Sequence, residues 1–235
     1  MKILLLKPPQ TYIKGTLIGR PCLPFGLLYL ASSLMQAGHQ VSIRDLLMEG
    51  EDRAIETNKK SDLVDRPCWR RGLSEKQIIK LVRQEAPDII GISCTSAAQE
   101  EDAKNLSILL KKFFSNILLM TGGVHASLVP QSMFQNSCFD FVCRGESEKT
   151  VVNLVEKIEK KKKDFENIPG LYFRQNQKIS FNLRKPKDYQ NLDELPLPAY
   201  QVMKNLYNPL YDHTQIKPRT DRSLGIFFSR GCGRC

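Results

Sequence analysis

Short apolar runs alternate with amphipathic segments along the first 160 residues, and this alternation constrains the fold more than any other feature. The runs have the length of buried strands, and the segments between them repeat apolar residues at helical spacing. Strands joined through helices make right-handed crossovers, so they form a parallel sheet covered on both faces. The sequence therefore predicts a doubly wound α/β domain with a five-stranded parallel sheet. The predicted strands are residues 3–6, 41–45, 89–93, 117–121 and 139–143.

Helix and turn signals agree with this architecture. Ser74 and Ser147 are expected to cap the second and the last of the predicted helices. Two short runs around residue 176 predict a small hairpin, and the prolines of residues 191–200 favour an extended linker. Residues 47–73 are polar and irregular, and their pattern predicts no element. The predicted helices are residues 24–37, 74–85, 100–114, 130–136 and 148–161, and the hairpin strands are 170–174 and 178–182.

Composition disfavours several classes of protein. No apolar stretch has the length that a membrane span requires, so we expect no membrane partner. Seven cysteines, an odd number without a regular frame, favour reduced thiols and a cytoplasmic location. The net charge of +10 includes the lysine run 160–163, which no aromatic residues accompany for base stacking. We therefore interpret that run as a solvated helix face and consider nucleic acid an unfavoured partner.

Small residues follow four of the predicted strands. Ligands of open parallel sheets bind beyond the carboxyl ends of the strands. Glycine after a single strand would indicate only a tight turn, but four such segments at one edge favour a binding crevice. No G-x-G-x-x-G follows the first strand, which weighs against a nicotinamide cofactor. The four segments are residues 7–10, 93–97, 122–127 and 144–148.

Five stretches of the sequence resemble, in order and spacing, those of the cobalamin-binding radical S-adenosylmethionine enzymes. The resemblance implies a flavodoxin-like N-terminal domain that holds cobalamin at the carboxyl edge of its sheet. It also implies a second domain, a partial β/α barrel that begins with SRGC and binds a [4Fe–4S] cluster and S-adenosylmethionine. The five stretches are PFGLLYLASSLMQAGHQVSIRD, PDIIGISCTS, TGGVHASLVP, FDFVCRGESEKTV and LDELPLPAY.

On this resemblance we divide the chain into three parts. Residues 1–165 are the expected cobalamin-binding α/β domain, and residues 166–200 are the hairpin and linker. Residues 201–235 are expected to be the incomplete beginning of a radical S-adenosylmethionine domain.

The resemblance also makes the small-residue segments candidate contacts for cobalamin. Small side chains would let a flat corrin ring lie on the loops, and the glycine pair would leave space for its nucleotide tail. The helix that begins at residue 148 would offer free backbone N–H groups to an anion. The candidate cofactor-binding residues are Pro8, Pro9, Ser93, Thr95, Ser96, Gly122, Gly123, Val124, His125, Gly145 and Glu146.

The expected cobalt ligation departs from a common pattern. Many cobalamin proteins supply D-x-H-x-x-G after the first strand, and its histidine becomes the lower ligand of cobalt. Residues 7–20 contain neither aspartate nor histidine, so we expect a non-histidine lower ligand. His125 lies on the ligand side, but a polar loop histidine is more often a hydrogen-bonding residue than a metal ligand.

Cys232 and Cys235 form a C-x2-C pair and are the candidate metal ligands. The family usually has C-x3-C-x2-C, so this chain supplies at most two of the three thiolates. A zinc site would need a second pair or a histidine partner, and none is placed to provide one. We therefore expect that the cluster and S-adenosylmethionine are not supported by this chain alone, and that the chain is a fragment ending where the catalytic domain begins.

Three functions stay open on the sequence. The favoured one is the cobalamin-binding part of a B12-dependent radical S-adenosylmethionine enzyme of methyltransferase or cyclase type. The second is a stand-alone corrinoid-binding protein without catalysis. The third is a flavodoxin-like regulatory or nucleic-acid-contacting domain without cobalamin. Whether the chain itself is an enzyme is left open.

Overall fold

A seven-stranded mixed sheet runs through the computed structural model of the protein. The structure describes residues 1–15, 22–50, 55–60, 66–175, 178–185, 188 and 191–203. The strands of this sheet are β1 (Lys2–Lys7), β3 (Gln40–Asp45), β6 (Ile89–Ser93), β7 (Leu118–Gly122), β8 (Phe141–Cys143), β9 (Leu171–Gln175) and β10 (Lys178–Phe181).

The first five of these strands are parallel and stand in the order β3-β1-β6-β7-β8. This is the flavodoxin-like order, and it reverses between β1 and β6. The structure confirms the predicted α/β class and the five parallel strands. The predicted hairpin is present as β9 and β10, and it extends the sheet because β9 pairs antiparallel with β8.

Helices cover both faces of the sheet. The first and last helices pack on one face, and the second and third pack on the other. Residues 3–6 of β1 are fully buried and point alternately into the two cores. Burial on both faces explains why this strand reads as an unbroken apolar run. The helices are α1 (Phe25–Gln36), α2 (Glu75–Glu85), α3 (Glu100–Phe113), α4 (Val124–Leu128) and α5 (Glu148–Glu159).

The two predicted serine caps differ in outcome. Ser74 caps α2 as predicted: Ser74 Oγ accepts a hydrogen bond from Gln77 N, and the Gln77 side chain accepts one from Ser74 N. Ser147 precedes α5 but makes no side-chain cap, so that prediction is wrong. Its hydroxyl instead donates to Gly145 O at 2.8 Å, which closes the turn before the helix.

The segment after β7 also differs from the prediction. Helix α4 begins directly after Gly123, where a loop was expected, and the predicted helix 130–136 contains only a 3-10 turn at Ser132–Phe134. Val129 leaves the helical region with φ −128°, as expected of a residue that precedes a proline.

A second, smaller sheet arises partly from residues 47–73, for which the sequence predicts no element. Strands β4 (Ile55–Lys60) and β5 (Pro67–Arg71) pair antiparallel, and β2 (Gln10–Ile13) pairs with β5. We call β2, β4 and β5 the small sheet. Because β2 follows β1 and β5 leads into α2, the small sheet lies at the carboxyl end of the parallel strands.

The predicted linker and the first residues after it, through Met203, pack back onto the main domain. Ala199 N donates to Leu28 O at 3.1 Å, and Met203 forms an isolated parallel bridge with Ile43. Ala199 and Met203 are both buried in the core on the α1 side. The segment also contains 3-10 turns at Leu192–Glu194 and Tyr200–Val202.

The candidate metal ligands Cys232 and Cys235 lie outside the described residues. Among the helices that the structure describes, none combines the length and the hydrophobicity needed to cross a bilayer.

Candidate functional site at the carboxyl edge of the sheet

The candidate site lies where the order of the parallel strands reverses, between the carboxyl ends of β1 and β6. Loops that follow two such strands run to opposite faces of the sheet and leave a crevice between them. The loops after β7 and β8 continue the same edge, because these strands are parallel neighbours of β6. The four segments predicted from the sequence therefore meet at one edge of the sheet.

Hydrogen bonds join the loops after β6, β7 and β8 into one continuous structure. Cys94 N donates to Gly122 O at 2.8 Å. Ser127 Oγ donates to Gly123 O at 2.8 Å and accepts from Gly145 N at 2.7 Å. Ser127 thus fixes the β8 loop to the β7 loop. We call the three segments 93–97, 122–127 and 144–148 the rim.

The part of the rim that follows β6 presents small side chains to the outside. Residues 95–98 are all exposed, including the candidates Thr95 and Ser96, and Ser93 is half-buried. Gln99 holds this turn, because its Oε1 accepts from Thr95 N at 3.0 Å and from Thr95 Oγ1 at 2.9 Å. A flat group can approach closely here, since these side chains are short.

The two adjacent glycines of the rim have different roles. Gly123 has φ +115°, and a Cβ atom there would lie 2.6 Å from Cys94 O. Its lack of a side chain is therefore required by the neighbouring backbone. A Cβ at Gly122 would lie 3.3 Å from Cys143 O and 3.9 Å from Ser147 Oγ, so it would make a tight contact at the ends of β7 and β8. The sequence assigned space for a ligand to both glycines, but at Gly123 the neighbouring backbone alone already requires glycine.

Helix α4 directs its two candidate residues differently. Val124 is 64% exposed at the edge. His125 turns toward α3, where its Nε2 lies 2.5 Å from Glu100 Oε2. The other oxygen of Glu100 accepts from Lys104 Nζ at 2.6 Å and from Ser132 Oγ at 2.5 Å. His125 thus acts as a hydrogen-bonding residue that attaches α4 to α3.

This network changes the acidity of Glu100. Burial by itself would raise its pKa, but hydrogen bonds from Lys104, Ser132 and His125 outweigh burial and lower the pKa from 4.5 to about 2. Because the folded protein holds the proton less tightly than the unfolded chain, the resulting stability is present above pH 4.5. It is lost as the pH falls toward 2.

We expect Glu100→Gln to lower the free energy of unfolding at pH 7 by roughly 1–2 kcal/mol, the size of charge-assisted hydrogen bonds. The difference from the wild type should shrink as the pH falls from 4.5 toward 2. Urea titrations at pH 7 and pH 3 measure both effects. The control is Glu156→Gln, which removes an exposed pair with Lys160 and should have little effect at either pH. An equal loss of unfolding free energy at pH 7 and pH 3 would contradict the assignment of this stability to the ionised Glu100 carboxylate.

The loop after β8 is held from the side of the hairpin. Gly145 has φ +75°, and a Cβ there would lie 2.9 Å from Arg184 Nη1. Arg184 Nη2 in turn donates to Thr150 Oγ1 at 2.8 Å in α5. Glu146 follows Gly145 and is half-buried.

A buried ion pair at the crevice was not singled out in the sequence. Lys7 Nζ, at the end of β1, lies 3.0 Å from Asp45 Oδ2 at the end of β3 and donates to Cys22 O at 3.0 Å. The pair links the ends of two strands with the segment that precedes α1. Pro8 and Pro9 next to it are buried, so they shape the crevice from beneath. A charged residue at the end of each of two predicted strands was the available signal in the sequence.

The thiols near the rim are not prepared for metal binding. Burial raises the pKa of Cys94 and of Cys143 to about 12, so both stay protonated at neutral pH. Within the described ranges there is no group of three or more His, Cys, Asp and Glu side chains that could hold a metal ion.

Two curated relatives resemble this chain over most of its length. It is 31% identical over 204 residues to the uncharacterized methyltransferase PH0819 of Pyrococcus horikoshii, an alignment with 86% of this chain. It is 25% identical over 239 residues to the anaerobic magnesium-protoporphyrin IX monomethyl ester cyclase of Synechocystis, with 99% of this chain. The alignments cover 39% and 40% of those proteins, so this chain spans about two-fifths of their length.

A solved structure shares the fold. The cobalamin-dependent S-adenosylmethionine radical enzyme OxsB, determined with aqua-cobalamin bound, superposes with a TM-score of 0.62 at 20% identity. The match covers 86% of this chain and 24% of OxsB. Residues 15–155, more than half of this chain, match the family described as the B12 binding domain. These residues include the rim and most of the parallel sheet, and the chain therefore belongs to the B12-binding domain family.

Proposed function

We propose that this chain holds cobalamin across the rim, as the cobalamin-binding part of a B12-dependent radical S-adenosylmethionine enzyme. The observation that carries the proposal is the continuous rim of small residues beside the point where the strand order reverses. A broad, flat ligand needs such an open platform, whereas a compact ligand would need a deep pocket.

The residues present fit a corrinoid. Thr95 and Ser96 would lie under the edge of the macrocycle, and their hydroxyls suit the amide side chains that surround a corrin. Gly122 has no side chain beside Cys143 O and Ser147 Oγ, and a narrow nucleotide tail would pass there. Val124 adds exposed apolar surface. When bound, cobalamin supplies a cobalt centre that can carry a methyl group or exchange electrons.

The reaction class is a further part of the proposal. A methyltransferase and a cyclase are among the similar proteins, which supports an enzyme of one of these two types. The [4Fe–4S] cluster and S-adenosylmethionine would belong to the whole enzyme, and Cys232 and Cys235 are the candidate thiolates of this chain. The residues of the parallel sheet and the rim contribute the binding and orientation of the corrinoid.

Titration with hydroxocobalamin tests the proposal. We expect about one corrinoid per chain after gel filtration, with the change in corrin absorbance following protein concentration. An absence of corrinoid uptake under anaerobic and aerobic conditions would refute it. It would favour a flavodoxin-like domain without cobalamin.

We also expect that cobalt does not take an imidazole as its lower ligand. His125 Nε2 is held by Glu100, and residues 7–20 provide no histidine. Electron paramagnetic resonance of the cob(II)alamin form measures this directly. Superhyperfine coupling to a protein imidazole nitrogen, lost in His125→Gln, would contradict it.

A further inference from the structure

The small sheet lies beside the crevice, and its strands contain none of the candidate cofactor-binding residues. Its first strand, β2, begins directly after Pro9 and packs against the 3-10 turn Ala97–Gln99, which continues the rim after β6. All four residues of β2 are half-buried. The small sheet thus starts on the β1 side of the crevice and reaches the β6 side.

A carboxylate fastens the small sheet on the β6 side. Asp102, in the first turn of α3, accepts hydrogen bonds from Thr11 N at 2.7 Å and from Thr11 Oγ1 at 2.6 Å. Burial raises the pKa of Asp102, while the bonds from Thr11 and the charge of Arg70 on β5 act in the opposite direction. Asp102 is therefore a desolvated group whose two oxygens are both used to hold β2.

Close backbone contact fastens the small sheet on the other side. Gly72, just after β5, has φ +118°, and a Cβ there would lie 2.6 Å from Leu46 O and 2.9 Å from Pro9 Cβ. Leu73 N donates to Leu46 O at 2.7 Å. The small sheet is thus attached to the segments after β1 and β3 as well as to α3, on the two sides of the strand-order reversal.

We propose that the small sheet forms a side wall of the corrinoid site, and that Asp102 is a positioning residue that holds this wall against the rim. The inference rests on the proposed function, because the wall bounds the crevice in which cobalamin would lie. A wall that contacts the bound ligand stabilises the bound state, and among variants of one site the loss of such contacts appears mainly as a faster rate of release.

The small sheet contains a fluorescent side chain that can report a nearby corrinoid. Trp69, the single tryptophan of the chain, lies on β5. Its ring contacts that of Tyr12 on β2 edge to face, with centroids 6.4 Å apart. Corrin absorption overlaps tryptophan emission, so a corrinoid beside the small sheet should quench Trp69. Phe113→Trp in a Trp69→Phe background moves the reporter to the far end of α3, where quenching should be weaker.

The decisive experiment combines hydrogen exchange with release kinetics. In the wild type, hydroxocobalamin should slow amide exchange in peptides covering β2 and β5 but not in those covering α2. In Asp102→Asn, protection of β2 and β5 should be lost while protection of residues 93–97 persists, and hydroxocobalamin should dissociate about tenfold faster. Thr11→Val, which removes one donor and keeps the strand, should change the release rate in the same direction by a smaller factor.

Asp140→Asn is the matched control. Asp140 also accepts a backbone N–H bond, from Leu119 N at 2.8 Å, but it lies at the amino end of the sheet. The variant Asp140→Asn should leave the rate of corrinoid release unchanged. If the wild type binds hydroxocobalamin without protecting β2 and β5, the wall is refuted and the proposed function stands. If no hydroxocobalamin binds, both fail.

Discussion

Gly123→Val is expected to lower the affinity for hydroxocobalamin by roughly 100-fold or more, where each 1.4 kcal/mol is a factor of ten. Valine disfavours the φ of +115° observed at this position, and such strain costs about 1–3 kcal/mol. Its Cβ would also meet Cys94 O at 2.6 Å, so the hydrogen-bonded contact between the β6 and β7 loops must open. The rim would lose its shape while the two cores remain.

Two further glycine variants distinguish distortion of the rim backbone from loss of space for the ligand. Gly122→Ala adds a methyl group in tight contact with Cys143 O at 3.3 Å, so the fold should persist with a small local shift while less space is left for the nucleotide tail. Gly26→Ala, in α1, meets nothing within 4 Å and should bind normally. Isothermal titration and circular dichroism measure affinity and fold. Normal binding by Gly123→Val with an unchanged spectrum would show that the turn has no part in the site.

Lys7→Met is expected to lower the free energy of unfolding by about 3–5 kcal/mol, the cost of leaving a buried charge without its partner. Asp45 is 1% exposed, and its other oxygen accepts from Leu47 N and Met48 N. Those bonds remain in the variant, but the opposite charge at 3.0 Å does not. The segment at Cys22 would also lose its hydrogen bond from Lys7 Nζ.

The double variant Lys7→Met, Asp45→Asn distinguishes loss of the pair from loss of packing. Because both charges are absent, it should be more stable than the sum of the two single variants implies. Lys160→Met is the control, since its pair with Glu156 is exposed and should contribute less than about 1 kcal/mol. Guanidinium unfolding of the wild type and of the four variants (the two single variants, the double variant and Lys160→Met) measures these differences. Equal losses for Lys7→Met and Lys160→Met would show that the pair at the crevice is effectively solvated.

The parallel sheet was predictable because each strand carries its own signal. The predicted strand 89–93 has the bounds of β6, since buried parallel strands are apolar on both faces. The small sheet carries no comparable signal: all of β2 and all of β5 except Cys68 are half-buried, and Thr11 pairs with Arg70 from a distant part of the chain. Its register depends on Asp102 and Gly72, which act only once the main sheet exists.

The candidate site also has a part that the sequence could predict and a part that it could not. Position at the carboxyl edge follows from the strand pattern, so the rim segments and the positive φ of Gly123 were predictable. The partners of charged side chains were not, because Glu100 meets His125 and Lys7 meets Asp45 only through the packing of separate elements. Ser147 shows the same limit within one turn. Its hydroxyl was expected to cap α5, but it donates a hydrogen bond to Gly145 O instead.

The central place of β1 has a consequence for biosynthesis. Its residues 3–6 are synthesised before both of the strands that flank them: one edge of β1 must pair with β3 and the other with β6, where Ile3 meets Ile89. At about 5–20 residues per second, the strand waits roughly 5–20 s for that second neighbour. During this interval the nascent chain exposes a leucine-rich segment with one unpaired edge, which other chains can pair with. We expect expression at lower temperature or with added chaperones to raise the soluble yield.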